Sequence, residues 1–185
     1  MGRLYNSYNG PNGPGNPDTV LLMVKDIVKK EPKLKYAPLI AYNTFAALLK
    51  TDFQKAYTYG KEVLATSCYD DTAYRSIIDP ISVFTENSNL PREIYALGAD
   101  ALQRETNQFP YPERISIHKR CNLIADWYWR SGDSVKAVNA QKRAIEALAN
   151  ENNFSADQMA EYKLRLQKYS KSPVEGEHAN RQLLN

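Results

Sequence analysis

The stretch Ile124-Ala125-Asp126-Trp127-Tyr128-Trp129-Arg130-Ser131-Gly132-Asp133-Ser134-Val135-Lys136-Ala137 most constrains what this chain can fold into. It reads as the end of one helix, a tight Gly132-Asp133 turn, and a second helix folding back on the first. Ala125 and Ala137 flank the turn, and small side chains are what allow two helices to approach closely. Tyr128 lies between them in sequence and supplies a ring to fill the wedge beside that contact.

The rest of the chain repeats the helical pattern. Val20, Val24, Ile27 and Val28 share one face of a helix from about Asp18 to Lys30, which Pro32 ends. Pro38 opens a second through Ile40, Phe45 and Leu48, and Thr51-Asp52 turns the chain into a third carrying Phe53, Ala56, Tyr57, Val63 and Leu64. Asp70 or Asp71 caps a fourth, in which Asp79-Pro80 predicts a kink or a break. Asn89 and Pro91 open a fifth, Pro110 and Pro112 a sixth that ends at Ser131, and Ser134 a seventh. Ser155 caps an eighth with the stripe Met159, Tyr162, Leu166 and Tyr169. No run alternates as a strand would, so the expected fold is all-α: about eight helices in antiparallel hairpins stacked as a degenerate repeat. One helical-repeat domain is expected over 18–171, preceded by a Gly- and Pro-rich leader at 1–17 and followed by a polar tail at 172–185.

The hairpin around Gly132 resembles a tetratricopeptide repeat. Ile124, Ala125 and Tyr128 match on the first helix, Gly132 at the turn, and Ala137 and Ala144 on the second. The sequence departs from the pattern at Cys121 and Gln141, where aromatics are usual, and at Ala149 in place of the closing Pro. A weaker copy lies at Leu48 to Ala56, whose Asp-x-x-Lys-Ala core equals that of Asp133 to Ala137. The two copies stand 81 residues apart, not a multiple of the repeat's length of about 34. The resemblance implies a concave face that holds a protein or peptide partner, which could be a domain of the same polypeptide. Tyr- and Asn-rich helical segments of this texture are also similar to those attached to thioredoxin-like domains in bacterial multidomain envelope proteins. That likeness implies the alternative of an accessory domain for a thiol–disulfide oxidoreductase whose catalytic dithiol lies outside these residues.

Within the chain, enzymatic chemistry is not expected, and no catalytic residue, cofactor or metal site is assigned. His118 and Cys121 share a helix face three residues apart, but Cys121 fills a packing slot of the repeat and no third group is evident to orient His118. Two His and two Cys, Cys68 and Cys121, do not make a zinc cluster, and Asp70-Asp71 reads as a cap. The glycines lie mostly in the leader and form no phosphate loop between strand and helix.

A net charge of +3, with Asp26, Glu31 and Glu113 interspersed among the basic residues, argues against a nucleic-acid surface. No apolar run approaches the roughly 20 residues a membrane helix needs. The first residues do not read as a signal peptide; the compartment would be the periplasm or envelope if one were removed, and the cytoplasm otherwise. Trp127, Tyr128 and Trp129 are consecutive and point about 100° apart, so they cannot all face one core. Trp127, Trp129, Tyr57 and Tyr59 are the candidates for a partner-binding groove.

Overall fold

A computed structural model of the chain describes residues 16–66, 71–109, 116–151 and 154–171. Among these residues every regular element is helical: eight α-helices and one short 3-10 turn. The helices are α1 (Pro17–Lys30), α2 (Pro38–Thr51), α3 (Phe53–Thr66), α4 (Asp71–Asn87), α5 (Arg92–Gln108), α6 (Ile117–Ser131), α7 (Ser134–Ala149) and α8 (Ala156–Ser170). The protein is an all-α chain of helical hairpins. It divides into two compact units, Met1–Ala101 and Leu102–Asn185, with α5 running across the boundary.

In the first unit, α1 begins one residue earlier than its hydrophobic pattern suggests. The Asn16 side chain accepts the Asp18 N–H at 2.9 Å, and Pro17 occupies the first turn, where a missing N–H costs nothing. Most of the leader and the whole tail lie outside the described residues, as do Cys68 and the Asp70 cap. Helix α2 is the centre of this unit. Nine of its residues are buried, and it packs on α1, α3 and α4. Val20 and Val24 of α1 meet Ile40, Ala46 and Ala47 in one cluster, flanked by Ile27 and Val28.

The break expected at Asp79-Pro80 does not occur, because α4 runs through Pro80 without interruption. Proline removes the donor that the Ser76 carbonyl would use, at a cost of about 3 kcal/mol in a helix interior. Pro80 is buried beside Ile77, Ile78 and Ile81, each no more than 2% exposed, so packing on the apolar face offsets that loss.

In the second unit, α6 and α7 form the most extensively packed helix pair. Helix α6 starts at Ile117 rather than at Pro110 or Pro112, and 110–115 lie outside the described residues. The turn after α6 is a Schellman motif. Gly132 sits at φ 92°, its N–H donates to the Trp129 carbonyl at 3.0 Å, and the Asp133 N–H donates to the Tyr128 carbonyl at 2.9 Å. Gly132 is the single residue with positive φ among those described, in the conformation that side chains disfavour. Ala125, Ala137 and Ala144 are fully buried and Tyr128 nearly so. Helix α8 closes this unit: Tyr162 and Met159 pack with Cys121, Ala144, Ile145 and Leu148.

Candidate functional site

The repeated Asp-x-x-Lys-Ala core forms the same local structure in both units. Asp52 Oδ1 accepts the Lys55 N–H at 3.0 Å, and Asp133 Oδ1 accepts the Lys136 N–H at 2.9 Å. Each lysine ammonium also reaches back to its own cap, at 3.0 Å for Lys55 and 3.5 Å for Lys136. The bonds from the Lys55 backbone and side chain hold the Asp52 carboxyl below its ordinary pKa. Ala56 and Ala137 follow, both fully buried. Continuing in step along α3 and α7, Gly60 and Gln141 are buried, and so are Val63 and Ala144. The two hairpins share a cap and the order of their buried positions. They differ at the turn, where Asp52 alone joins α2 to α3 while Gly132 and Asp133 join α6 to α7.

The four aromatic candidates fall into two units and two kinds of environment. Tyr57 and Tyr59 lie on α3 of the first unit, Trp127 and Trp129 on α6 of the second. Tyr57 is half-buried, with the Lys61 ammonium 4.6 Å from its ring centre. Tyr59 is tied into a local network. Its hydroxyl donates to the Lys35 carbonyl at 2.8 Å, and its ring lies 5.9 Å from that of Tyr36. Tyr36 donates to Glu62 at 2.6 Å and the Lys35 ammonium reaches the same carboxylate oxygen at 3.1 Å, which together hold the Glu62 carboxyl down. Burial pushes the Tyr59 hydroxyl up to about 12. These bonds clamp the connection between α1 and α2 onto α3.

Trp127 is fully buried, so its indole face is withdrawn from any partner and belongs to the core. Trp129, two positions on, is only partly buried. Its ring lies 5.3 Å from that of Tyr169 on α8, tilted by 33°, with the Lys168 ammonium 6.0 Å away over the indole. Tyr169 is 2% exposed, and burial pushes its hydroxyl up to about 12. Tyr169 and Ser170 also line an open groove of about 300 Å³ whose other wall is Ser134, Val135, Val138 and Asn139 of α7. Val135 is 71% exposed at that edge. The groove therefore joins an apolar edge to polar side chains, next to a stacked aromatic pair. In sequence, Tyr169 belongs to the apolar stripe of α8 and Val138 to that of α7 with Ala144, Ile145 and Leu148, so both read as packing residues, and Val135 carries no such signal; the spacing of Tyr162 and Tyr169 by two turns is the available pointer.

His118 does have the third group that its sequence context does not reveal. It is 2% exposed, its Nδ1 stands 2.9 Å from the Tyr162 hydroxyl, and its Nε2 stands 3.3 Å from Glu151. Burial lowers its pKa despite the Glu151 carboxylate, which acts in the opposite sense. Cys121 is a free thiol, 1% exposed, and burial pushes its pKa up against the weaker pull of Arg143 and Arg120. Such a thiol is poorly suited to nucleophilic or exchange chemistry. Between these two groups in sequence, Arg120 donates to Glu105 at 2.5 Å in an ion pair with both side chains no more than 3% exposed. Among the described residues, no three His, Cys, Asp or Glu side chains gather as a metal site requires, and no helix is long and apolar enough to cross a membrane.

No family model and no curated protein matches this chain. A solved structure of the MamA RS-1 ArsTM double mutant aligns with 84% of this chain and 86% of its own length, at 19% identity and a TM-score of 0.45. That likeness is too distant to carry an argument about family or activity.

Proposed function

We propose that this chain is a non-catalytic helical module that binds a protein or peptide segment through the second unit. The observation that carries the reading is the Trp129–Tyr169 pair beside the α7–α8 groove. Trp129 is partly exposed and held in place by the buried Tyr169 ring; a side chain fixed in this way loses little entropy on binding, and Trp is among the residues that most often dominate interface energy. Val135 and Val138 offer apolar contact, and Ser134, Asn139 and Ser170 offer the few polar groups that fix a bound segment's orientation. Within this reading Trp129 is the anchor, Tyr169 its support, and Trp127 a core residue. Tyr57 belongs to a secondary patch on the other unit, and Tyr59 serves the clamp described above.

Selection of binding peptides from a displayed library on the purified chain tests the proposal. Trp129→Ala should lower affinity for the selected peptides about 30-fold, the effect of losing an anchor worth about 2 kcal/mol. Its melting curve by circular dichroism should stay close to that of the parent chain. Unchanged affinity would remove Trp129 from the site, and a collapsed melting temperature would assign it to the core.

A further inference from the structure

The face of α7 that borders the groove has a counterpart in the first unit. A shift of 81 residues sets Ser134, Val135, Val138 and Lys142 in step with Phe53, Gln54, Tyr57 and Lys61 of α3. In both helices the first turn carries an exposed apolar side chain, Val135 at 71% and Phe53 at 42%. A half-buried one follows a turn later, Val138 or Tyr57, and an exposed lysine a turn after that. Phe53, Tyr57 and Lys61 are spaced four residues apart, so they form one column along the surface of α3. The upper part of the column is in contact, because the Lys61 ammonium lies 4.6 Å from the centre of the Tyr57 ring. Adjacent apolar groups left open to water at matching places on two hairpins differ from the single hydrophobic residues that any surface carries.

We propose that the Phe53–Tyr57–Lys61 column is a second docking site, for a partner's short helix that carries an apolar side chain and, one turn on, a carboxylate. Spacing sets the form of this partner. The column repeats at about one helical turn, so a helix laid along it meets each member with residues of a single face. Charge sets its composition. The other charged residues of α3, Lys55 and Glu62, fall on the opposite side of the helix from Phe53. There Lys55 pairs with Asp52, and Glu62 is held by Lys35 and Tyr36. Lys61 is therefore the one charge that α3 brings to this face, and an ammonium has three donors to offer a carboxylate. On α7, Glu146 follows Lys142 by one turn and offsets its charge, whereas the residue in step with Glu146 on α3 is Ala65. The preference for an acidic segment thus belongs to the first unit. That the ligand is a protein segment rests on the binding reading above; the place of the site and the sign of its charge do not.

Displayed helical peptides selected on the Trp129→Ala chain, whose groove has lost its anchor, test this site apart from the groove. The enriched peptides should carry Asp or Glu one turn from a Leu, Ile or Phe. One of them, titrated into the isotope-labelled variant, should move amides of α3 and leave those of α7 in place. Phe53→Ala and Lys61→Glu, added to this background, alter exposed side chains, and each should weaken that peptide about tenfold or more. A companion peptide with Lys in place of the acid should bind better once Lys61→Glu is present. Loss of structure cannot produce such a reversal, so this variant carries the test if Phe53→Ala does not fold. Failure to enrich any peptide on Trp129→Ala overturns the second site, as do shifts confined to α7 and α8, or an acid preference that survives Lys61→Glu. Selection on the parent chain decides the groove separately: peptides that bind the parent and are lost with Trp129→Ala uphold it whatever happens at α3.

Discussion

Gly60 is the position where the first unit's packing can be tested against local helix preference. It lies inside α3, where glycine is about 1 kcal/mol less favourable than alanine. An exposed Gly→Ala change in a helix would therefore stabilise. Here a Cβ would stand 2.5 Å from Leu97 Cδ2 and 3.0 Å from Phe45 Cε2. The Phe45 ring is fully buried and Leu97 is 5% exposed, so neither can swing into solvent. Overpacking of such a site costs about 1–3 kcal/mol, which exceeds the helix gain. Gly60→Ala should thus destabilise by about 1 kcal/mol, or about 4–8 °C in melting temperature for a cooperative unit of this size. The contact with Leu97 supplies the control. Leu97→Val removes the clashing methyl at its own cost of about 1 kcal/mol, and the double variant should be more stable than the sum of the single effects by about 0.5 kcal/mol or more. Thermal melts and urea titrations of the four proteins give the cycle. A higher melting temperature for Gly60→Ala, or strict additivity with Leu97→Val, would refute the close approach of α3 to Phe45 and Leu97.

Two further outcomes follow from other parts of the structure. Asp133→Ala should cost about 1 kcal/mol through loss of the bond to the Lys136 N–H, while Asp133→Asn should retain most of that stability because the amide oxygen still caps. The exposed Lys136 ion pair adds little, so high salt should leave the difference between the two variants nearly unchanged. Asp52→Ala and Asp52→Asn should rank in the same order, since the cap geometry is shared; equal stability of the Ala and Asn variants at either position would count against it. In a Cys68→Ser background, Cys121 should react with an aromatic disulfide reagent at least about 100-fold more slowly in the native protein than in denaturant, and fast native labelling would contradict its burial.

The helices were legible because their signals are local. Prolines at 17, 32, 38 and 91, caps at Asp52, Asp133 and Ser155, and Gly132 at its turn each act within one or two turns of chain. Pro80 misleads because its effect depends on what the rest of the fold packs against α4, which neighbouring residues do not encode. The same holds for the aromatic candidates. Their consecutive placement showed that Trp127 and Trp129 must diverge, but the choice between them depends on where α8 docks. Sequence spacing pairs His118 with Cys121 because both lie on one helix, whereas its partners in the structure, Tyr162 and Glu151, come from α8 and the end of α7. Division of the chain at Ala101 had no composition signal, since the boundary falls inside the continuous helix α5.

With only two tryptophans in the chain, their indole N–H resonances offer the most direct test of the binding account. Titrating a library-selected peptide into the isotope-labelled chain at pH 7.5 should move the Trp129 resonance progressively, together with amides of Val135, Val138 and Ser170, and leave the Trp127 resonance nearly fixed. Saturable binding that leaves Trp129 and the groove amides unmoved would contradict the assignment of this surface.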